Sequence, residues 1–103
     1  MKEQNTTSSS ELSKNAFIGA MVPKAALYEQ LAEESSELAQ ACLKKARKLR
    51  SENYTPKTMK EIDANLIEEY TDVILSAELC DLHFDEKLKD YKLNRWVERL
   101  NKS

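Results

Sequence analysis

Glycine and proline are nearly missing from this sequence, one and two residues among 103. With them goes most of the punctuation from which hairpin turns and phosphate-binding glycine loops are built. All-β folds and Gly-loop nucleotide folds are thereby excluded, and long helices are expected. Cysteine is almost as scarce. Cys42 and Cys80 fit no zinc or CxxC spacing and are expected on apolar helix stripes as reduced core thiols. An excess of either charge is also lacking, with 16 basic against 18 acidic side chains and a net charge of −2, which disfavours a nucleic-acid-binding protein. No stretch approaches the ~20 consecutive apolar residues of a membrane span, and the polar start MKEQNTTSSS has no apolar core of a signal peptide. A cytoplasmic protein without a membrane partner is the expectation. The length suits one small domain.

What is present is a succession of helical patterns. Residues 1–10 are polar and read as a mobile tail. Residues 11–22 carry Leu12, Phe17, Ile18, Met21 and Val22, enough for a short docked helix or arm, so that 1–22 forms a flexible N-terminal region ahead of an all-α domain over 23–103. A long helix is expected from Pro23 to about Arg50, with basic residues crowding its end as the helix dipole favours. SENYTP is the mid-chain loop. Thr58 and Glu61 form a capping box that opens a second helix reaching about Leu82, and Asp85 caps a third that continues to the C-terminus. The expected architecture is a helical bundle built on a long antiparallel hairpin plus a C-terminal helix, completed by oligomerisation. The last point rests on apolar residues off the main stripes, Leu43 on the first long helix and Ile67, Ile74, Leu75 and Leu79 on the second, since a helix apolar on several sides must be buried on several sides.

The two long helices share a near-repeat, LAEESSEL at 31–38 and LIEEYTDV at 66–73. At about 100° per residue, Leu31, Leu38, Cys42 and Leu49 form one stripe and Leu66, Val73, Ala77 and Cys80 the other. Glu34 and Glu37 then flank the first stripe as Glu69 and Asp72 flank the second. Glu37 and Glu69 each lie 16 residues from Asn53, and Glu34 and Asp72 each lie 19 from it. An antiparallel hairpin turning there brings both pairs level and onto one side. Four carboxylates beside an apolar stripe would repel one another and raise their pKa values, and a divalent cation relieves this. An all-oxygen donor set selects a hard ion, Mg²⁺ or in its place Mn²⁺, and with it metal-assisted phosphate hydrolysis. The alternative is a non-catalytic helical interaction module whose acids are solvated edges or hold a structural ion.

These motifs resemble those of a known family. EESSE (Glu33, Glu34, Glu37) followed by EYTD (Glu69, Asp72) is similar to the EExxE…ExxD signature of MazG-like nucleotide pyrophosphohydrolases, within the all-α NTP pyrophosphatase superfamily, over roughly residues 25–100. The resemblance implies a helical bundle acting as a homodimer or homotetramer. It also implies Mg²⁺-dependent hydrolysis of nucleoside triphosphates to monophosphate and pyrophosphate, as in nucleotide pool housekeeping. Carried over by position, the metal ligands are Glu34, Glu37, Glu69 and Asp72. Glu33 and Glu37 are the candidates to orient or deprotonate the attacking water, with Glu68, beside Glu69, either a further candidate or a solvated surface residue. Lys92, Asn94, Arg95 and Arg99 are the candidates to meet the triphosphate. A sister family, phosphoribosyl-ATP pyrophosphohydrolase, carries an aromatic-His pair soon after the ExxD aspartate, where this chain has Val73, Ile74, Leu75 and Ser76. His83, the single histidine, reads as a helix-end residue. Tyr28, Tyr54, Tyr70, Tyr91 and Trp96 are either core or base-stacking residues.

Overall fold

A computed structural model of the chain describes residues 8–51 and 56–102. Every element among them is an α-helix: α1 (Ser9–Met21), α2 (Lys24–Arg50), α3 (Met59–Leu79) and α4 (Glu86–Asn101). Asn53 and Tyr54, in the expected loop, lie outside the described residues, as do 1–7. None of the described helices is long and apolar enough to cross a membrane.

The helix starts follow local chemistry. Ser8 accepts a hydrogen bond from the Glu11 backbone N–H at 3.1 Å while the Glu11 carboxylate accepts one from the Ser8 N–H at 3.4 Å. This capping box satisfies two orphan donors, so residues 8–10 belong to the cap and first turn of α1 rather than to a tail. Thr58 and Glu61 make the same box at the start of α3, with the Glu61 carboxylate 2.8 Å from the Thr58 N–H. These bonds hold the Glu61 carboxyl below its ordinary range. Asp85 caps α4 by accepting from Leu88 N–H at 2.9 Å. Pro23 is the residue before the first turn of α2, not within it.

The end of α3 is equally defined. The Leu82 N–H donates to the Ala77 carbonyl at 3.0 Å and the Asp81 N–H to the Glu78 carbonyl at 2.9 Å. This is the Schellman arrangement, and it forces Asp81 into the left-handed region at φ 59. Backbone groups therefore close α3 at Cys80, three residues short of His83.

Helices α2 and α3 pack along their lengths as an antiparallel pair. Their seams follow strict alternating steps of four and three residues. On α2 the row is Leu27, Leu31, Glu34, Leu38, Ala41, Lys45 and Lys48, all buried or half-buried; on α3 it is Met59, Ile62, Leu66, Glu69, Val73, Ser76 and Cys80. This is coiled-coil spacing. Lys45 on α2 pairs with Asp63 on α3, which fixes the register near the loop. The expected stripe is thus corrected in part: Cys42 is exposed and Leu49 is 66% exposed, while Cys80 is buried. Cys42 is not a core thiol.

Outside the hairpin there is little packing. Helix α1 touches α3 yet buries no residue, leaving Leu12, Phe17 and Met21 exposed, so it is a helix but not a firmly docked one. Helix α4 also buries none.

Candidate metal centre

The acidic repeat sits midway along the seam. Glu34 and Glu69 occupy seam positions themselves, each at a step where a coiled coil would place an apolar knob, and both are half-buried. Glu37 lies one turn on from Glu34, exposed on the flank. Because the helices run in opposite directions, the three side chains converge: one carboxylate oxygen from each of Glu34, Glu37 and Glu69 lies within 4.8 Å of the others. Asp72 stands outside that tight group, but its negative charge acts on both Glu34 and Glu69.

The electrostatics are unfavourable as they stand. Desolvation raises the Glu69 pKa, and the charge of Glu37, a hydrogen-bond contact with Glu37, and the charges of Asp72 and Glu34 raise it further. Desolvation likewise raises Glu34, followed by the charges of Glu37 and Asp72. Gln30 offers partial relief, its Nε2 donating to Glu34 Oε2 at 3.2 Å. Glu69 Oε1 has none: it is closed off from solvent and accepts no hydrogen bond among the described residues. A buried carboxylate oxygen without a donor is costly and calls for a partner.

Those observations fit a hard divalent cation. The donors are oxygen only, three of them converge within reach of one ion, and the orphaned Glu69 oxygen is a ready ligand. Glu34, Glu37 and Glu69 would hold the ion, with Asp72 adjacent.

The remaining sequence candidates fall elsewhere. Glu33 is exposed on α2, one turn before Glu37. Lys92, Asn94, Arg95 and Arg99 are exposed on α4, where Lys92, Arg95, Trp96 and Arg99 line a concavity of about 290 Å³ that includes no carboxylate of the hairpin. Gln30, which the sequence reading passed over, is detectable only as a polar residue four before Glu34.

Comparisons with protein-family models, with curated proteins and with solved structures found no match to this chain.

Proposed function

We propose that the chain is a Mg²⁺-dependent nucleoside triphosphate pyrophosphohydrolase of the MazG-like type, cleaving between the α and β phosphates and working as a homodimer or homotetramer. The reading is supported above all by the convergence of Glu34, Glu37 and Glu69, with Asp72 beside them, from two copies of one motif on antiparallel helices. The EExxE…ExxD resemblance adds the reaction class. A bound divalent ion would polarise the phosphate oxygens and lower the pKa of the attacking water.

The chain's own residues do the rest. Glu34 and Glu69, held by the seam, fix where the phosphates sit, and Gln30 steadies Glu34. Glu37 and Glu33, both exposed on α2, would accept the proton of the attacking water. Lys92, Asn94, Arg95 and Arg99 supply donors for the leaving pyrophosphate once α4 is brought to the groove.

The test is pyrophosphate release from a mixed nucleoside triphosphate panel with and without Mg²⁺. Monophosphate and pyrophosphate are the expected products. Diphosphate and orthophosphate would move cleavage to the β–γ bond and refute the reading. No turnover, together with metal binding, would favour the non-catalytic module holding a structural ion. Pyrophosphate release from phosphoribosyl-ATP alone would favour the sister activity.

A further inference from the structure

The carboxylates sit midway along one flank of the hairpin, and α2 changes sign on passing them. Its residues 24–40 carry four acidic side chains and one basic, whereas residues 41–50 carry five basic and none acidic. Two of the causes are already plain. Arg47, Lys48 and Arg50 stand in the last turn, where cations complement the helix dipole, an effect that falls off within that turn. Lys45 is engaged by Asp63 on the facing helix. Lys44, further from the helix end and without a partner among the described residues, has neither explanation.

Its place on the helix supplies one. Lys44 lies seven residues beyond Glu37, which at 100° per residue returns it to within about 20° of the same face, about 10.5 Å further along α2. Lys48, eleven beyond Glu37, continues that line, again within about 20°. Long helical side chains lean back toward the N-terminal turn, and on α2 that direction is toward Glu37.

Asn65 holds the mirror position on α3, seven residues before Asp72 as Lys44 is seven after Glu37. Facing residues of antiparallel helices share a nearly constant sum of residue numbers, and Lys44 with Asn65 matches the observed Lys45–Asp63 pair to within one. The two therefore stand level across the groove, one step from the carboxylates toward the loop. Asn65 is half-buried and Lys44 exposed, and neither makes a hydrogen bond or ion pair among the described residues. The acid of this flank nearest the loop is Glu61, and the Thr58 cap already occupies its carboxylate.

A polyphosphate held by a divalent ion at the carboxylate centre has two ways to lie along this groove. Toward the open end of the hairpin it meets the like charges of Glu33 and Asp72; toward the loop it meets an ammonium and an amide, both donors to phosphate oxygens. We propose that the phosphate chain of the substrate runs from the metal centre toward the loop, with its β- and γ-phosphates received by Lys44 and Asn65 and its nucleoside at the open end. This rests on the metal centre and the reaction class given above, and adds the direction of the substrate and two residues that set it. Both belong to the hairpin, so the contact forms without any movement of α4, whose cations would add to it.

The test is calorimetric binding of two probes to the full chain in saturating Mg²⁺: inorganic pyrophosphate, standing for the β- and γ-phosphates, and a panel of nucleoside monophosphates, standing for the rest of the substrate. Lys44→Ala should weaken pyrophosphate about tenfold or more, as for loss of a charged hydrogen bond, and leave the monophosphates unchanged. Asn65→Ala should act in the same direction and less strongly, and Lys44→Arg should restore most of the affinity. Lys60, exposed and half a turn round α3 from Glu69, is the control, since Lys60→Ala removes the same charge from the opposite side and should change neither probe. Lys44 is exposed, so its variants should keep the helical circular dichroism of the wild type. Pyrophosphate affinity unchanged in Lys44→Ala, an equal loss in Lys60→Ala, an equal loss of both probes, or no pyrophosphate binding to Mg²⁺-loaded wild type would overturn the proposal and leave the metal centre standing. Wild type that binds no Mg²⁺ would overturn both.

Discussion

The two halves of the α2–α3 seam treat charge differently. Near the loop, Lys45 stands at a seam position and meets Asp63 from the facing helix. About three turns away, Glu34 and Glu69 stand at equivalent seam positions and meet further carboxylates, with Gln30 the one hydrogen-bond donor to Glu34 among the described residues. Both halves sacrifice apolar seam positions. In the first the charge is compensated inside the chain and contributes register; in the second Glu69 Oε1 has no hydrogen-bond partner among the described residues. Charged groups that a fold places on its own seam and does not pair are the ones to read as a site.

The contrast can be broken in several ways, the largest effect coming first. Glu69→Ala should abolish metal-dependent turnover with helical circular dichroism intact, since it removes a ligand and little core volume; Lys45→Ala should leave turnover near wild type. Retained activity in Glu69→Ala, measured as pyrophosphate release, would end the ligand assignment. Next, Mg²⁺ should stabilise the fold. At a hundred times its dissociation constant the linkage is about 2.7 kcal/mol, which for a chain of this size is a rise in Tm of roughly 10–20 °C. Calorimetry with millimolar Mg²⁺ reads this, and Glu69→Gln should lose most of the rise.

Without metal the same cluster should give an inverted pH dependence. The folded-state pKa values of Glu34 and Glu69 are raised from 4.5, so between that ordinary value and the raised one the native state binds more protons than the unfolded state. Stability from this cluster then falls as pH rises through the raised values. Thermal melts of metal-free protein should show that slope, and Glu34→Gln/Glu69→Gln should flatten it. The smallest effect belongs to the compensated half. Lys45 and Asp63 are 28% and 43% exposed, so a double-mutant cycle should return a coupling of about 0.2–1 kcal/mol. A value of several kcal/mol would show that this half is not an ordinary surface-edge pair.

The helices were largely legible because their caps are local. Thr58 with Glu61 and Asp85 with Leu88 need only three residues of sequence, and the structure starts α3 and α4 there. The same box at Ser8 and Glu11 was equally available; the surrounding Ser- and Thr-rich composition masked it. Chain arithmetic set Glu37 level with Glu69, since antiparallel helices conserve the sum of facing residue numbers, and both belong to the converging group, whereas Asp72 does not. What was harder was the seam. Its true row includes Glu34, Lys45, Glu69 and Ser76, so a search for apolar residues drifts to Cys42 and Leu49 instead. A straight 3.6-residue helix also drifts about 20° per heptad from the 3.5 repeat that packing selects. That α4 buries none of its residues was not legible at all, because an amphipathic pattern shows an apolar face and not whether the chain itself covers it.

Asp81 links this to the scarcity of glycine. Left-handed backbone is where glycine is ordinarily used, yet the two residues found there among the described ones are Ser51 and Asp81, at φ 58 and 59. A glycine at position 81 would relieve roughly 1 kcal/mol of local strain, but it would also enlarge the set of conformations open to the unfolded chain and to the joint itself. By placing an aspartate there the sequence trades a little enthalpy for a stiff corner. The direction in which the chain leaves the hairpin is then set by backbone bonds at the joint itself and not by packing of α4 against α2 or α3.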